Sequence, residues 1–139
     1  MSFAAQVGKW AADADAKVDR IRRVVIIKTF SAIIKDTPVL SGRARGNWQT
    51  TVGSPALGDI ERLGTGVGVP PEMMAEIEAA CDTVRGTDKV VIIRNNLVYI
   101  YGIEFEGWSH TKAPRGMFRL NVARITENTN KAIAGGAEL

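Results

Sequence analysis

The sequence predicts an α+β domain in which a small antiparallel β-sheet packs against a long N-terminal helix, a middle helix and a C-terminal helix. Three observations carry this expectation. Apolar residues step by three or four through the first thirty-five positions, the period of an α-helix. Short β-branched runs bounded by turn residues follow it. Prolines stand at the head of two later helical stretches, one in mid-chain and one near the end.

Residues 2–35 are expected to form one helix. Phe3, Val7, Trp10, Ala14, Val18, Ile21 and Val25 make its apolar stripe, and Asp13, Asp15, Lys17, Asp19, Arg20 and Arg23 fill the other face. At about 1.5 Å per residue such a helix spans roughly 50 Å, more than a small core covers. One end should therefore project or pack on a neighbour. The run Val24-Val25-Ile26-Ile27 reads alternatively as a strand or a kink, but the helical period continues through Phe30, Ile33 and Ile34. Pro38 ends the helix, because the residue before a proline is pushed out of the α region.

Residues 39–47 read as a loop and residues 48–52 as a strand with Trp48 facing the core. Residues 53–69 form a glycine-rich loop. Pro70 and Pro71 open the middle helix, with Met73, Ile77, Ala80, Cys81 and Val84 on its apolar face and Gly86 as its stop. Residues 89–94 are a strand, Asn95-Asn96 a turn, and residues 97–105 the returning strand of a hairpin. Residues 107–116 are a loop, residues 117–133 a closing helix, and residues 134–139 a frayed tail. The 139 residues suit one domain, residues 1–139, and at this size roughly two-thirds of the unfolded surface is buried on folding.

Composition narrows the function. The 18 basic and 15 acidic side chains leave a net charge of +3, too small for a dedicated nucleic-acid face. The single cysteine excludes an intrachain disulfide. The N-terminus has no basic stretch followed by an apolar core, and no apolar run approaches the roughly 18 residues of a membrane span. A soluble protein made in a cytoplasm is expected.

Chemistry-bearing residues are sparse. His110 lies in a polar loop without a partner at useful spacing, and a zinc site needs three or four Cys or His ligands where the chain has two. Cys81 on an apolar helix face reads as a buried structural thiol. Glu104 and Glu106, two apart on the expected strand, share a face; salt-bridging to Arg43, Arg45 or Arg119 is favoured over acid-base or cation chemistry. Residues 64–68, GTGVG, lack the Lys-Ser/Thr of a phosphate loop. Arg115, Arg119 and Arg124 with Lys112 read as a solvated or protein-contacting face before a DNA-contacting one. No enzyme, metal or cofactor is expected.

Three segments are more specific. TPVLSGRARGNW at residues 37–48 resembles the TPVxTGRxRxNW segment of minor tail and tail-completion proteins of tailed bacteriophages. Residues 95–107, from Asn95-Asn96 to Glu104 and Gly107, resemble that family's NNxxYAxxxExG segment. KAPRGMFRL at residues 112–120 resembles its xAPxGMxRxT entry into a final helix. Order matches over residues 31–123, and spacing matches except that Gly107 lies one residue beyond the glycine of the second pattern. Ser41 stands where the family pattern varies, and the insertion between Val52 and Lys89 differs in size between members.

The residues of these segments make sense as structure: Pro38, Gly42, Arg43, Trp48, Asn95, Asn96, Glu104, Pro114, Gly116 and Arg119. Gly42 and Gly46 permit turns a β-carbon opposes. Arg43 is expected to reach Glu104 and tie the loop to the hairpin.

The resemblance, to proteins of the minor tail protein Z type, implies a virion structural protein needed for head-tail joining. It implies a neck subunit at the head-proximal end of the tail, in a homo-oligomeric ring of six, touching the tail terminator, the tail tube and the head-tail connector. Expected neighbour contacts are Trp10, Arg45, Gly64, Gly66 and Arg115, from the long helix and the glycine-rich loop. A tail-terminator or head-closure ring protein is the nearest alternative, and a DNA-binding module using Lys112, Arg115, Arg119 and Arg124 the alternative of another class.

Overall fold

Ser2 starts the longest element. Its hydroxyl accepts the Ala5 amide at 3.1 Å, satisfying one of the free donors of a first helical turn. From there α1 runs unbroken over Phe3–Asp36. The β-branched stretch at residues 24–27 stays helical, because Val24 is buried and Ile26 and Ile27 pack against the core. Thr37 closes the helix in extended conformation ahead of Pro38, and its hydroxyl donates to the Ile33 carbonyl at 2.7 Å. The computed structural model describes residues 2–135, so the expected frayed tail at 134–139 lies mostly outside the described residues.

A single turn, α2 (Arg43–Gly46), interrupts the loop expected at residues 39–47. Strand β1 (Trp48–Val52) follows. Helix α3 (Pro71–Thr83) begins with proline at its first position and buries Met73, Ile77, Ala80 and Cys81. Val84 caps it, and Gly86, at φ +71°, turns the chain away.

Strand β2 (Val91–Asn95) pairs antiparallel with β1, in register from Trp48 opposite Asn95 to Val52 opposite Val91. This corrects the expected hairpin. Asn95-Asn96 do not turn the chain back onto β2, and residues 97–105 are not a strand. They carry α4 (Ile100–Phe105) instead. The reason is visible in burial: Leu97, Gly102 and Glu104 are buried and Ile100 and Ile103 half-buried, so every second residue does not face one side.

The closing helix is also two helices. α5 (Phe118–Val122) and α6 (Ile125–Ala134) are separated at Ala123 and Arg124. They have different anchors. Asn121 of α5 donates to Asp36 at the end of α1, while Ala132 of α6 packs with Val24 near the middle of α1.

The larger of two core clusters joins Ile33, Ile34, Trp48, Met73, Ile77, Cys81 and Met117, and the smaller joins Val24 and Ala132. The larger lies between the C-terminal half of α1, α3 and the two-stranded sheet. The architecture is α+β, with a long N-terminal helix and further helices around a two-stranded antiparallel sheet.

Candidate functional site

The three motif segments meet just past the C-terminal end of α1. Trp48 is the hub. Its indole is buried, donates from Nε1 to the Thr37 hydroxyl at 2.7 Å, and stacks on Phe118 with ring centroids 5.9 Å apart. Thr37 thus bonds both its own helix end and the first strand. One residue from each of the first and third segments closes this contact.

Glu104 joins the second segment to the third. It is only 5% exposed, yet its carboxylate is fully used. Oε2 accepts the amides of Met117 and Phe118 at 2.7 and 2.9 Å, and Oε1 accepts the Arg119 amide at 2.8 Å. Arg119 adds Nε to Oε1 at 3.2 Å and Nη2 to the Glu104 carbonyl at 2.8 Å, and its guanidinium lies 4.4 Å over the Phe105 ring. A carboxylate from another segment therefore caps the first turn of α5, where free amides and the helix dipole favour an anion. Burial alone raises the Glu104 carboxyl. The three amides and Arg119 outweigh it and hold the group below its ordinary range. Gly116, at φ +79°, is packed against this carboxylate with no room for a β-carbon.

The expected Arg43–Glu104 tie is absent. Arg43 pairs instead with Asp59 at 2.6 Å on the surface. Of the partners anticipated for Glu104, Arg119 is the one it has. Glu106 lies at the end of α4, exposed, and does not share a face with Glu104.

Two expected neighbour contacts are corrected as well. Arg45 is buried, and donates to the carbonyls of Lys35, Thr37, Gly66 and Gly68. Burial lowers its pKa, but an arginine starts so high that it stays charged. It fastens the glycine-rich loop to the end of α1. Gly64 is buried against Arg45 and Gly46, and its amide donates to the Gly42 carbonyl at 2.7 Å. Gly42 itself sits at φ +89° beside this contact. The glycine-rich loop is thus bonded to its own chain. Trp10, Gly66 and Arg115 are exposed. Pro38 lies half-buried beyond α1, and Pro114 is exposed ahead of Gly116.

Asn95 and Asn96 act as braces, not as a hairpin turn. Asn95 donates to the Ala44 carbonyl and Asn96 to those of Ala56 and Gly58. Sequence reasoning missed their counterparts. Asn47, fully buried, exchanges hydrogen bonds with the Ile60 backbone and donates to the Arg43 carbonyl. Arg62 donates to the carbonyls of Gly46 and Trp48 and pairs with Glu76 at 2.8 Å, while Glu76 accepts the Thr50 amide. A charged residue in a glycine-rich loop gives no local sign of such a long-range partner.

Among the described residues, two exposed apolar surfaces lie at opposite ends of α1. The stripe at the start of α1 leaves Phe3, Trp10 and Val18 exposed at 82%, 72% and 62%. Beyond the other end of α1 lies a groove of about 570 Å³, lined by Val39, Leu40, Tyr99, Ile103 and Trp108 with Lys112 at its edge. His110 is an exposed loop residue, and burial raises the Cys81 thiol away from its reactive form. Among the described residues, no group of three or more His, Cys, Asp or Glu side chains is placed to hold a metal ion. No described helix is long and apolar enough to cross a membrane.

No family model, curated protein or solved structure matches this chain.

Proposed function

We propose that this chain is a structural protein of a tailed-bacteriophage virion, a tail-completion subunit at the head-proximal end of the tail. One observation carries the reading. The three segments that resemble the tail-completion family, the first separated from the other two by more than forty residues, form one bonded unit through Thr37, Trp48, Glu104, Phe118 and Arg119. Segments retained for chemistry would converge on an open site with free functional groups. These converge on a filled junction, which is what an assembly protein needs from residues that only fix its shape.

The exposed apolar stripe on α1 supplies the other half of the support, since soluble proteins leave such contiguous faces bare chiefly where a partner covers them. In this reading the protein acts by surface complementarity, within a homo-oligomeric ring, beside the tail terminator, tail tube and connector. Six copies follow from the resemblance. The test is electron microscopy of particles made by a phage lacking the gene. Heads and tails that fail to join are expected, and normal infectious particles would overturn the assignment.

A further inference from the structure

We propose that the bare stripe of α1 in one copy docks into the groove beside Leu40 and Trp108 of a second copy. Placement is the first argument. The stripe lies at the start of α1 and the groove just past its end, and thirty-four helical residues separate them by roughly 50 Å. A chain cannot fill its own groove with its own stripe, whereas two copies arranged head to tail can. Such a contact joins unlike surfaces and leaves one stripe and one groove free at the ends, so it propagates until a ring closes.

Chemistry is the second argument. The stripe presents Phe3, Val7 and Trp10, all exposed, and the groove presents Val39, Leu40, Tyr99, Ile103 and Trp108. Charges around them are complementary. Asp13 and Asp15 fall on either side of the stripe one turn beyond Trp10, as 3.6-residue periodicity dictates. The groove carries Lys112, whose ammonium donates to the Val39 carbonyl, and Arg43, which already pairs with Asp59, so Lys112 is the cation it offers among the described residues. Lys9, the cation in the first three turns after Ser2, faces away from the stripe, and Lys17 stands two turns past Trp10.

Area is the third. Phe3 and Trp10 would each withdraw on the order of 150–250 Å² from water. One contact thus supplies part of the roughly 800 Å² per partner typical of a stable interface. In a closed ring each copy uses both its stripe and its groove, which doubles what it buries.

The proposal rests on the assembly reading above, and the two fail separately, because the test needs only the isolated full chain. Sedimentation velocity at tens of micromolar compares wild type, Trp10→Glu, Leu40→Glu, and an equal mixture of the two variants. Wild type should associate, and each variant alone should be monomeric. The mixture should form a heterodimer and nothing larger, because it holds one intact stripe and one intact groove. A monomeric wild type, a monomeric mixture, or a Leu40→Glu protein that still associates would overturn the contact; the last would mean that the stripe pairs with something other than the groove. Both substituted side chains are solvent-exposed, and far-UV circular dichroism checks folding. Should either variant melt early, Phe3→Glu and Lys112→Glu replace them with the same expectations. A failure here removes the contact and leaves the virion micrographs to judge the tail assignment.

Discussion

The two ends of α1 use their residues in opposite ways. At the C-terminal end, around Thr37, Trp48 and Glu104, polar side chains are buried and bonded and aromatic rings are stacked. At the N-terminal end, aromatic side chains face water, and Phe3, Val7, Trp10 and Val18 are all exposed before Ile21 and Val24 meet Ala132. One helix thus serves as core for half its length and as surface for the rest. The same periodicity of apolar residues runs through both halves. Amphipathic spacing therefore says which face of a helix seeks cover, and leaves open whether its own chain provides it.

The contrast can be broken by substitution. Trp48→Ala should be the most damaging change, costing about 4 kcal/mol, because it empties the hub and leaves Thr37 and Phe118 without their partner. Urea unfolding followed by fluorescence would measure it; a loss under 1 kcal/mol would mean that the junction is not the fold's anchor. Glu104→Ala should cost about 3 kcal/mol, since three amides lose a buried charged acceptor. Gly116→Ala should cost about 2 kcal/mol, combining strain at φ +79° with crowding of Glu104. Thermal melts of the three variants should rank in that order.

The acid side of the stability profile sharpens the same point. Glu104 has a folded pKa below its ordinary 4.5, so its ionised form binds the native state better. That contribution is complete above about pH 4.5 and is lost as pH falls through the lower folded value. Wild type should therefore lose stability below pH 4.5 more steeply than Glu104→Gln, which has no proton to gain. Equal slopes in urea titrations across pH 5 to 3 would show that Glu104 is not held as the geometry indicates.

Much of the fold was legible because its signals are local. The 3–4 stepping of α1, the proline start and Gly86 stop of α3, and the alternation of β1 all sit within a dozen residues of the elements they define. What escaped is non-local. Residues 97–105 have β-branched and aromatic residues that suit a strand, but α4 wins because Glu104 must reach the amides of residues 117–119 and Gly102 must admit the Trp108 ring. β2 pairs with β1, forty residues back, instead of with its successor. Charge partners were least legible: Arg43 finds Asp59, Arg62 finds Glu76, and Arg45 finds only carbonyls. No spacing rule selects among eighteen cations. Arg45 and Gly64, expected as neighbour contacts, hold their own chain together instead.

The smallest expected effect on stability is also the most direct test of the division between the two ends. In the full chain, Phe3→Gln, Val7→Gln and Trp10→Gln together should leave the melting temperature within about 3 °C of wild type, as exposed substitutions do. The same triple variant should sediment as a monomer where wild type associates. A melting temperature lowered by about 10 °C, or association that survives the triple substitution, would contradict the account.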